Sequence, residues 1–212
     1  MADKKEVLVI GGGISGVTTA LELAQLGIPT TLIEKEPALG GLSASFCCKA
    51  SEVCNKCFAC VVDKRLSDIH QRSDISILTR TDLVDAKGDS GGYQVSLKSG
   101  RERIDLKVSA VVIAAGIDPY EASQKAEYGY GRFKNVITAK DLDDMLRKEG
   151  KLYCPSDGKL PGTVAFFQCV GSRDESIGNL YCSQVCCAFA LRLIKAIRYQ
   201  HSEVKAPFLY MD

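Results

Sequence analysis

The first part of the chain alternates between a strand pattern and a helical pattern of apolar residues. "EVLVIG" is a short apolar run, "ISGVTTALELAQLG" has apolar residues at helical spacing and closes at Gly27, and "PTTLIEKE" is a second apolar run. The pattern predicts a strand, a helix and a second strand, which is the order found in nucleotide-binding α/β domains.

The middle of the chain has a different period. From Ile75 to Leu106, apolar and polar residues alternate in "ISILTRTDLV", "GYQVSLKS" and "RIDLKVSA", which are separated by glycines and charged residues. This pattern predicts an antiparallel β-meander. The apolar "VSAVVIAAG" then predicts a buried strand. "TAKDLDDMLRKEG" predicts a helix that Thr138 and Asp141 cap and that ends at Gly150.

The last third repeats the strand and helix order after the turn-rich "CPSDGKLPG". "TVAFFQC" predicts a strand, "YCSQVCCAFALRLIKAIRY" at 181–199 predicts a helix, and "APFLYMD" predicts another strand. The predicted fold class is therefore α/β: a Rossmann-like domain with a parallel sheet and an antiparallel β-meander, followed by the start of a second Rossmann-like unit.

Composition narrows the classes of partner. The chain has 27 basic and 26 acidic residues, so neither nucleic acid nor an anionic membrane surface is a favoured partner. Its longest apolar runs are shorter than the about 18 residues that a transmembrane helix needs. The start of the chain also lacks a signal-peptide pattern. These features predict a soluble, cytoplasmic protein without a transmembrane segment.

Ten cysteines stand out in a chain of this kind. A reducing cytoplasm argues against structural disulfides, and the clustering of the cysteines points to metal. Cys154 stands alone. The first group comprises Cys47, Cys48, Cys54, Cys57 and Cys60; the second comprises Cys169, Cys182, Cys186 and Cys187.

A dinucleotide site is predicted where the first strand meets the first helix. Gly11, Gly13 and Gly16 have G-x-G-x-x-G spacing, and Glu34 ends the next strand. The first glycine permits a tight turn, the second lets a diphosphate approach, and the third lets the helix pack on the strand. Glu34 would accept hydrogen bonds from a ribose. Neighbouring candidates for cofactor contact are Ile14, Ser15 and Lys35.

Two further segments resemble flavoproteins. "KEPALGGLSA" resembles the two-dinucleotide-binding flavoproteins, which implies that Gly40, Gly41 and Leu42 lie near the cofactor diphosphate. "VVIAAGIDP" resembles the later Ala-Thr-Gly signature of that family, with Ala115 where threonine is usual. The resemblance implies FAD rather than NAD, with backbone contacts from Ala114, Ala115 and Gly116. The alternative for "AAG" is a strand end that simply packs tightly.

Cys54, Cys57 and Cys60 have the C-x2-C-x2-C spacing of a ferredoxin-like iron-sulfur run. No cysteine follows at the usual fourth position, so Cys48 or Cys47 would have to supply the fourth ligand. Zinc, a redox dithiol and purely structural thiols remain as alternatives for this group.

The second group is predicted to converge on one point. Cys182 and Cys186, four residues apart, would share one face of the predicted helix, with Cys187 beside them. Cys169 ends the preceding strand and could face the same point across the turn. The alternative is that these cysteines are small apolar residues that pack the helix on the sheet.

"FFQCVGSRDESIGNLYCSQVCC", "EYGYGRFKNVITAKDLDDML" and "PSDGK" together resemble the FAD- and iron-sulfur-containing subunit of heterodisulfide reductase and its relatives in anaerobes. "CNKCFACVVDKRLSDIHQRSDISILTRTDLV" is similar to the segment that follows the flavin motif there, best at Cys57 and Cys60. In that family the C-x12-C-x3-C-C pattern ligates a [4Fe-4S] cluster next to FAD. The ligands implied here are Cys169, Cys182, Cys186 and Cys187.

The resemblance implies a domain plan and leaves room for a second cluster at the first group. An FAD-binding domain would span residues 1–150, with a cysteine-rich insertion at 47–60. A linker at 151–162 and a partial second βαβ unit at 163–212 would follow. Members of the family are much longer, so the chain is expected to be a fragment or a split subunit.

The predicted function is that of an FAD-dependent, iron-sulfur electron-transfer subunit. The resemblance implies partners in a complex: a disulfide-reducing subunit, with a hydrogenase or ferredoxin as donor. No residue is predicted to act as a general acid or base, because His70 and His201 lie among charged residues. Two alternatives remain: a thiol-disulfide oxidoreductase resembling thioredoxin reductase, with Cys57 and Cys60 as the redox pair, and a zinc-stabilised scaffold.

Overall fold

The structure is a computed structural model, and it describes residues 6–89 and 91–211. The chain forms two compact units. The first comprises Met1–Ala44 and Phe58–Ile117, and the second comprises Ser45–Cys57 and Asp118–Asp212. The sequence-based domain limits at residues 150 and 162 stay predictions.

The first unit contains a parallel sheet and a separate antiparallel sheet. The parallel sheet has the strand order β3-β2-β1-β7, and the antiparallel sheet has the order β4-β5-β6. Two helices, α1 and α2, accompany the strands. The elements are β1 (Val7–Ile10), α1 (Ile14–Gln25), β2 (Thr30–Glu34), α2 (Ala59–His70), β3 (Ile75–Thr79), β4 (Thr81–Asp89), β5 (Gly92–Ser99), β6 (Glu102–Val108) and β7 (Ala110–Ile113).

Helix α1 forms because its apolar side chains recur on one face. Val17, Ala20, Leu21 and Ala24 are buried in the core that the helix shares with the parallel sheet. Gly27 follows the helix in the left-handed region, with φ of 72°. The predicted Rossmann-like α/β architecture is thus confirmed, and α1 begins where the glycine-rich turn ends.

Two details of the first unit differ from the sequence pattern. Ile75–Thr79, predicted as part of the meander, pairs in parallel with β2 instead. Arg80 has a φ of 53° and separates this strand from β4, where the meander begins. Helix α2 was not predicted, because its few buried side chains, Ala59, Val62 and Ile69, are spread among charged residues.

The second unit is built on a short βαβ arrangement. Strands β8 (Phe166–Phe167) and β9 (Phe208–Leu209) pair in parallel, and helix α4 (Cys186–Gln200) connects them. Helix α3 (Ala139–Glu149) contributes to the same core. The predicted start of a second Rossmann-like unit is therefore confirmed. Its buried residues are Cys47, Leu142, Met145, Leu152, Phe166, Ala190, Leu193, Ile197 and Val204.

The ends of α3 agree with the sequence pattern, and the start of α4 does not. Thr138 and Asp141 form the predicted capping box, and Gly150 ends α3 with a φ of 68°. The predicted helix over 181–199 instead begins at Cys186. Gln184 has a φ of 60°, a left-handed conformation that interrupts a helix. Cys182 therefore lies in the preceding loop and does not share a helix face with Cys186.

No helix within residues 6–89 and 91–211 has both the length and the apolar composition needed to cross a membrane.

Candidate functional site

The glycine-rich turn between β1 and α1 is held by the Glu34 carboxylate. One oxygen of Glu34 accepts a hydrogen bond from the Gly12 amide at 2.6 Å, and the other accepts one from the Glu36 amide at 2.8 Å. Glu34 is 7% exposed. Because a carboxylate has about four lone-pair sites, Glu34 can still accept a further hydrogen bond. Sequence reasoning named Glu34 and missed Gly12, which lies inside the glycine triplet.

The glycines of the triplet have different spatial roles. A Cβ on Gly11 would lie 2.4 Å from the carbonyl oxygen of Ala114, and one on Gly16 would lie 1.8 Å from the carbonyl oxygen of Gly11. A Cβ on Gly13 would meet no atom within 4 Å. Gly11 and Gly16 thus allow close packing, whereas Gly13 faces open space at the N-terminus of α1. This is the arrangement that lets a diphosphate approach a helix N-terminus.

The second glycine pair lies against this turn. Gly40 forms an isolated parallel bridge with Gly13, and the amide of Gly40 donates to the carbonyl of Gly12 at 2.7 Å. A Cβ on Gly41 would lie 3.2 Å from the Cα of Gly13. The backbone thus brings Gly40 and Gly41 to the triplet. Leu42 follows them in a short 3₁₀ turn.

The remaining candidates for cofactor contact surround the same turn. The amide of Ala114 donates to the carbonyl of Ile10 at 2.8 Å, directly after β7. Ala115 and Gly116 follow, and a Cβ on Gly116 would meet no atom within 4 Å. Ile14 and Ser15 begin α1, and Lys35 is exposed after β2.

The second cysteine group comes from three consecutive parts of the second unit. Cys169 is buried after β8 and has a φ of 62°. Cys182 is exposed in the following loop, and Cys186 and Cys187 begin α4. All four are free thiols. A helix N-terminus stabilises thiolates because its amides carry positive partial charge.

Electrostatic coupling links these sulfurs. Burial opposes ionisation of Cys186, but hydrogen bonds from the Ser183 hydroxyl and from the backbone of Cys169 lower the pKa of the Cys186 thiol. Burial raises the pKa of Cys187, and the charges of Cys186, Cys169 and Cys182 raise it further. Each thiolate therefore affects the others. In the described part of the chain, no three His, Cys, Asp or Glu side chains are arranged around a point that a metal ion could occupy.

Both cysteine groups contain the same local turn. The Gln184 amide donates to the Cys182 sulfur at 3.3 Å, and the Lys56 amide donates to the Cys54 sulfur at 3.3 Å. Gln184 and Lys56 both adopt left-handed conformations, with φ of 60° and 49°. An amide hydrogen bond to sulfur stabilises the thiolate form, which is the form that ligates iron.

Members of the first group have contrasting surroundings. Cys47 is buried; burial and a hydrogen bond to Asp143 raise the pKa of its thiol to about 12. Cys47 therefore stays protonated and is a poor metal ligand. Cys48 and Cys54 are exposed, and Cys57 is partly buried. Cys60 lies in α2 and belongs to the first unit.

A buried ion pair supports the cysteine-rich segment within the second unit. The Lys49 ammonium lies 2.8 Å and 3.0 Å from the two oxygens of Asp143 on α3. Asp143 also accepts a hydrogen bond from the Cys47 amide at 2.8 Å. The ammonium lies over the Phe46 and Phe189 rings, at 5.4 Å and 5.0 Å from their centroids. Sequence reasoning missed this network, because a lysine among polar residues has no local signal of burial.

The Asn55 side chain ties the Cys54 and Cys57 loop to this network. Its amide nitrogen donates to the Lys49 carbonyl, and its amide oxygen accepts from Lys195 on α4 at 2.8 Å. Cys154 is separate from both groups; its amide donates to the Lys159 carbonyl in a turn.

Residues 2–135 match the family of pyridine nucleotide-disulphide oxidoreductases. The chain belongs to this family. The match confirms the predicted enzyme class, an FAD-dependent oxidoreductase. It also covers the glycine-rich turn, the Gly40 and Gly41 pair and the strand that leads to Ala114.

Relatives match almost the whole chain. The subunit designated A of the ferredoxin/F420H2-dependent CoB-CoM heterodisulfide reductase of Methanosarcina acetivorans is 27% identical over 98% of this chain. An iron-sulfur subunit of CoB-CoM heterodisulfide reductase from Methanopyrus kandleri, also designated A, is 28% identical over 97% of it. The predicted resemblance to this heterodisulfide reductase subunit is thus confirmed. The chain spans 36% and 43% of these two relatives.

A solved structure supports the fold. The crystal structure of L-proline dehydrogenase from P. horikoshii aligns with 97% of this chain and 35% of that one, with a TM-score of 0.54 and 20% identity. The agreement supports the predicted Rossmann-like fold class.

Proposed function

We propose that this chain is the flavin- and cluster-binding part of an electron-transfer subunit of the heterodisulfide-reductase type. The observation that carries the proposal is the coupling of Cys169, Cys182, Cys186 and Cys187 at the N-terminus of α4. The similarity to relatives named as heterodisulfide reductase subunits, two of them across 97% and 98% of this chain, supports the same conclusion.

The glycine-rich turn fits FAD. Gly13 leaves open space at the N-terminus of α1, and Gly41 lies against it. Glu34 would fix the turn through Gly12 and accept a hydrogen bond from a ribose. Backbone at Ala114, Ala115 and Gly116 would line the same site, with contributions from Ile14, Ser15, Lys35, Gly40 and Leu42.

The second cysteine group fits a [4Fe-4S] cluster by the chemistry of its donors. Four free thiols are the ligand set of such a cluster, and hydrogen bonds to Cys182 and Cys186 favour their thiolate forms. The N-terminus of α4 would stabilise the negative charge of the thiolates. We further propose a second site at Cys48, Cys54, Cys57 and Cys60, supported by the Lys56 amide bonded to Cys54.

The cofactors would supply the redox chemistry, since a flavin exchanges two electrons and a cluster exchanges one. The protein residues would bind and orient these groups and set their potentials. No side chain is assigned a proton-transfer role.

Partners and location follow from the same proposal. The relatives are named as subunits of reductases, so this chain would work with a disulfide-reducing subunit, together with a donor such as a hydrogenase or ferredoxin. A cytoplasmic location remains part of the proposal.

Anaerobic purification followed by iron, sulfide and flavin analysis tests the proposal. We expect bound FAD and about four to eight irons per chain, with equal sulfide. Flavin without iron would instead favour the thiol-disulfide oxidoreductase with Cys57 and Cys60 as its redox pair. Zinc without flavin would favour the zinc-stabilised scaffold.

A further inference from the structure

The hydroxyl of Tyr120 is buried and has no hydrogen-bond partner in the described part of the chain. The one other buried side-chain oxygen or nitrogen of this kind among the described residues is Oδ1 of Asp144, whose second oxygen accepts a hydrogen bond from Lys140 at 3.1 Å. Tyr120 is thus the one buried donor without an acceptor there. Buried hydroxyls are rarely left unpaired, and a missing partner often marks a bound ion or water.

The Tyr120 ring lies on the turn that follows Cys169. A Cβ on Gly171 would lie 2.1 Å from Cγ of Tyr120 and 2.5 Å from each Cδ, so the ring covers the backbone of this turn. Gly171 has a φ of 81°, which also favours glycine. The tyrosine is therefore packed two residues from the first proposed ligand of the second cysteine group.

Further contacts fix the loop that joins Cys169 to Cys182. The side-chain amide of Asn179 donates to the Gly171 carbonyl at 2.9 Å, and the backbones of Asp174 and Asn179 are paired. Lys125 forms an ion pair with Asp174 and lies close enough to Tyr120 for their charges to interact. The ring of Tyr120 thus lies on a turn that is held at several points.

We propose that the Tyr120 hydroxyl donates a hydrogen bond to a sulfur of the iron-sulfur group held by Cys169, Cys182, Cys186 and Cys187, and thereby raises its reduction potential. The proposal rests on the proposed function, because the acceptor is the group that these cysteines would bind. It assigns the buried hydroxyl an acceptor that the protein itself does not supply.

A hydrogen bond to sulfur changes the potential because the reduced cluster is more negative than the oxidised one. The donor stabilises the more negative state more strongly, so losing the donor shifts the potential downward. Replacing Tyr120 by phenylalanine keeps the ring that packs on Gly171 and removes only the oxygen.

The test compares Tyr120→Phe with the unmodified protein, both purified anaerobically. Redox titration followed by electron paramagnetic resonance should give a lower midpoint potential for the variant. The expected change in the reduction equilibrium is about tenfold, or about 59 mV for a one-electron couple. Tyr199→Phe, at an exposed position on α4, is the matched control and should leave the potential unchanged.

A second readout does not depend on the potential. In the reduced protein exchanged into D2O, a deuteron coupled to the cluster spin should be visible by electron-nuclear double resonance and absent in Tyr120→Phe. Equal iron content with an unchanged potential and an unchanged deuteron signal would overturn the role of Tyr120 and leave the proposed function standing. Absence of iron from the unmodified protein would overturn both.

Discussion

The Lys49 ammonium lies 2.8 Å from the Asp143 carboxylate, and the two side chains are 2% and 0% exposed. The pair joins the segment that carries the first cysteine group to α3, inside the core of the second unit. A buried charge is tolerated only when it is paired and hydrogen-bonded. Here Asp143 also bonds the Cys47 amide, and Lys49 also bonds the Cys47 carbonyl at 3.1 Å.

Breaking this pair should destabilise the second unit strongly. We expect Lys49→Met to lower the free energy of unfolding by about 3–5 kcal/mol, because it leaves the Asp143 carboxylate buried without its cation. Urea unfolding monitored by circular dichroism measures the change. Arg103→Met removes an exposed ion pair to Asp105 and should cost at most about 1 kcal/mol. Equal losses in the two variants would contradict the role assigned to the buried pair.

The glycine-rich turn predicts a difference between two alanine variants. Gly16→Ala places a Cβ 1.8 Å from the Gly11 carbonyl oxygen, so it should destabilise the first unit by about 1–3 kcal/mol or more. Gly13→Ala meets no atom and should change the stability by about 1 kcal/mol at most.

FAD affinity separates the same two positions further. Gly13→Ala should lower FAD affinity by about tenfold or more while the chain stays folded, because its methyl group enters the space left for the diphosphate. Fluorescence titration with FAD measures this loss. If Gly13→Ala binds FAD as tightly as the unmodified chain, the diphosphate does not lie at this turn.

The ion pair between Lys125 and Asp174 predicts a pH dependence at low pH. A hydrogen bond from Lys125, followed by one from Ser176, lowers the pKa of Asp174 below its ordinary value of 3.8. A carboxyl group with a lowered folded-state pKa stabilises the fold above its unfolded-state pKa. That stabilisation is lost as the pH falls through the folded-state value.

Urea midpoints between pH 5 and pH 2 check this effect. The unmodified chain should lose stability more steeply below about pH 4 than Lys125→Met does, because the variant lacks the cation that favours ionised Asp174. Lys64→Met, on an exposed part of α2, should keep the steep dependence. A Lys125→Met curve parallel to that of the unmodified chain would show that the pair does not act on Asp174.

Local sequence signals predicted much of this architecture. The glycine triplet and the Thr138 and Asp141 capping box act over a few residues, and the structure contains both arrangements. The start of α4 was misplaced because the left-handed conformation of Gln184 has no marker in a non-glycine residue. Strand β3 was assigned to the wrong sheet because alternation alone does not distinguish a parallel partner from an antiparallel one.

The parts of the site that escaped prediction depend on contacts between distant residues. Lys49 and Asp143 are 94 positions apart, and neither has a neighbour in sequence that signals burial. The same holds for Tyr120, whose ring reaches Gly171 only through the fold. By contrast, the four cysteines of the second group are recognisable from their spacing, although their coupling through Ser183 and the Cys169 backbone is a feature of the structure.

The iron content of Cys186→Ser, measured after anaerobic purification, tests the central claim most directly. Cys186 begins α4 and has a thiol whose pKa is lowered by hydrogen bonds that oppose the effect of burial. We predict the loss of about four irons per chain relative to the unmodified protein. Cys154→Ser, outside both cysteine groups, should retain its iron. Full iron content in Cys186→Ser would contradict the assignment of this helix terminus as a cluster site.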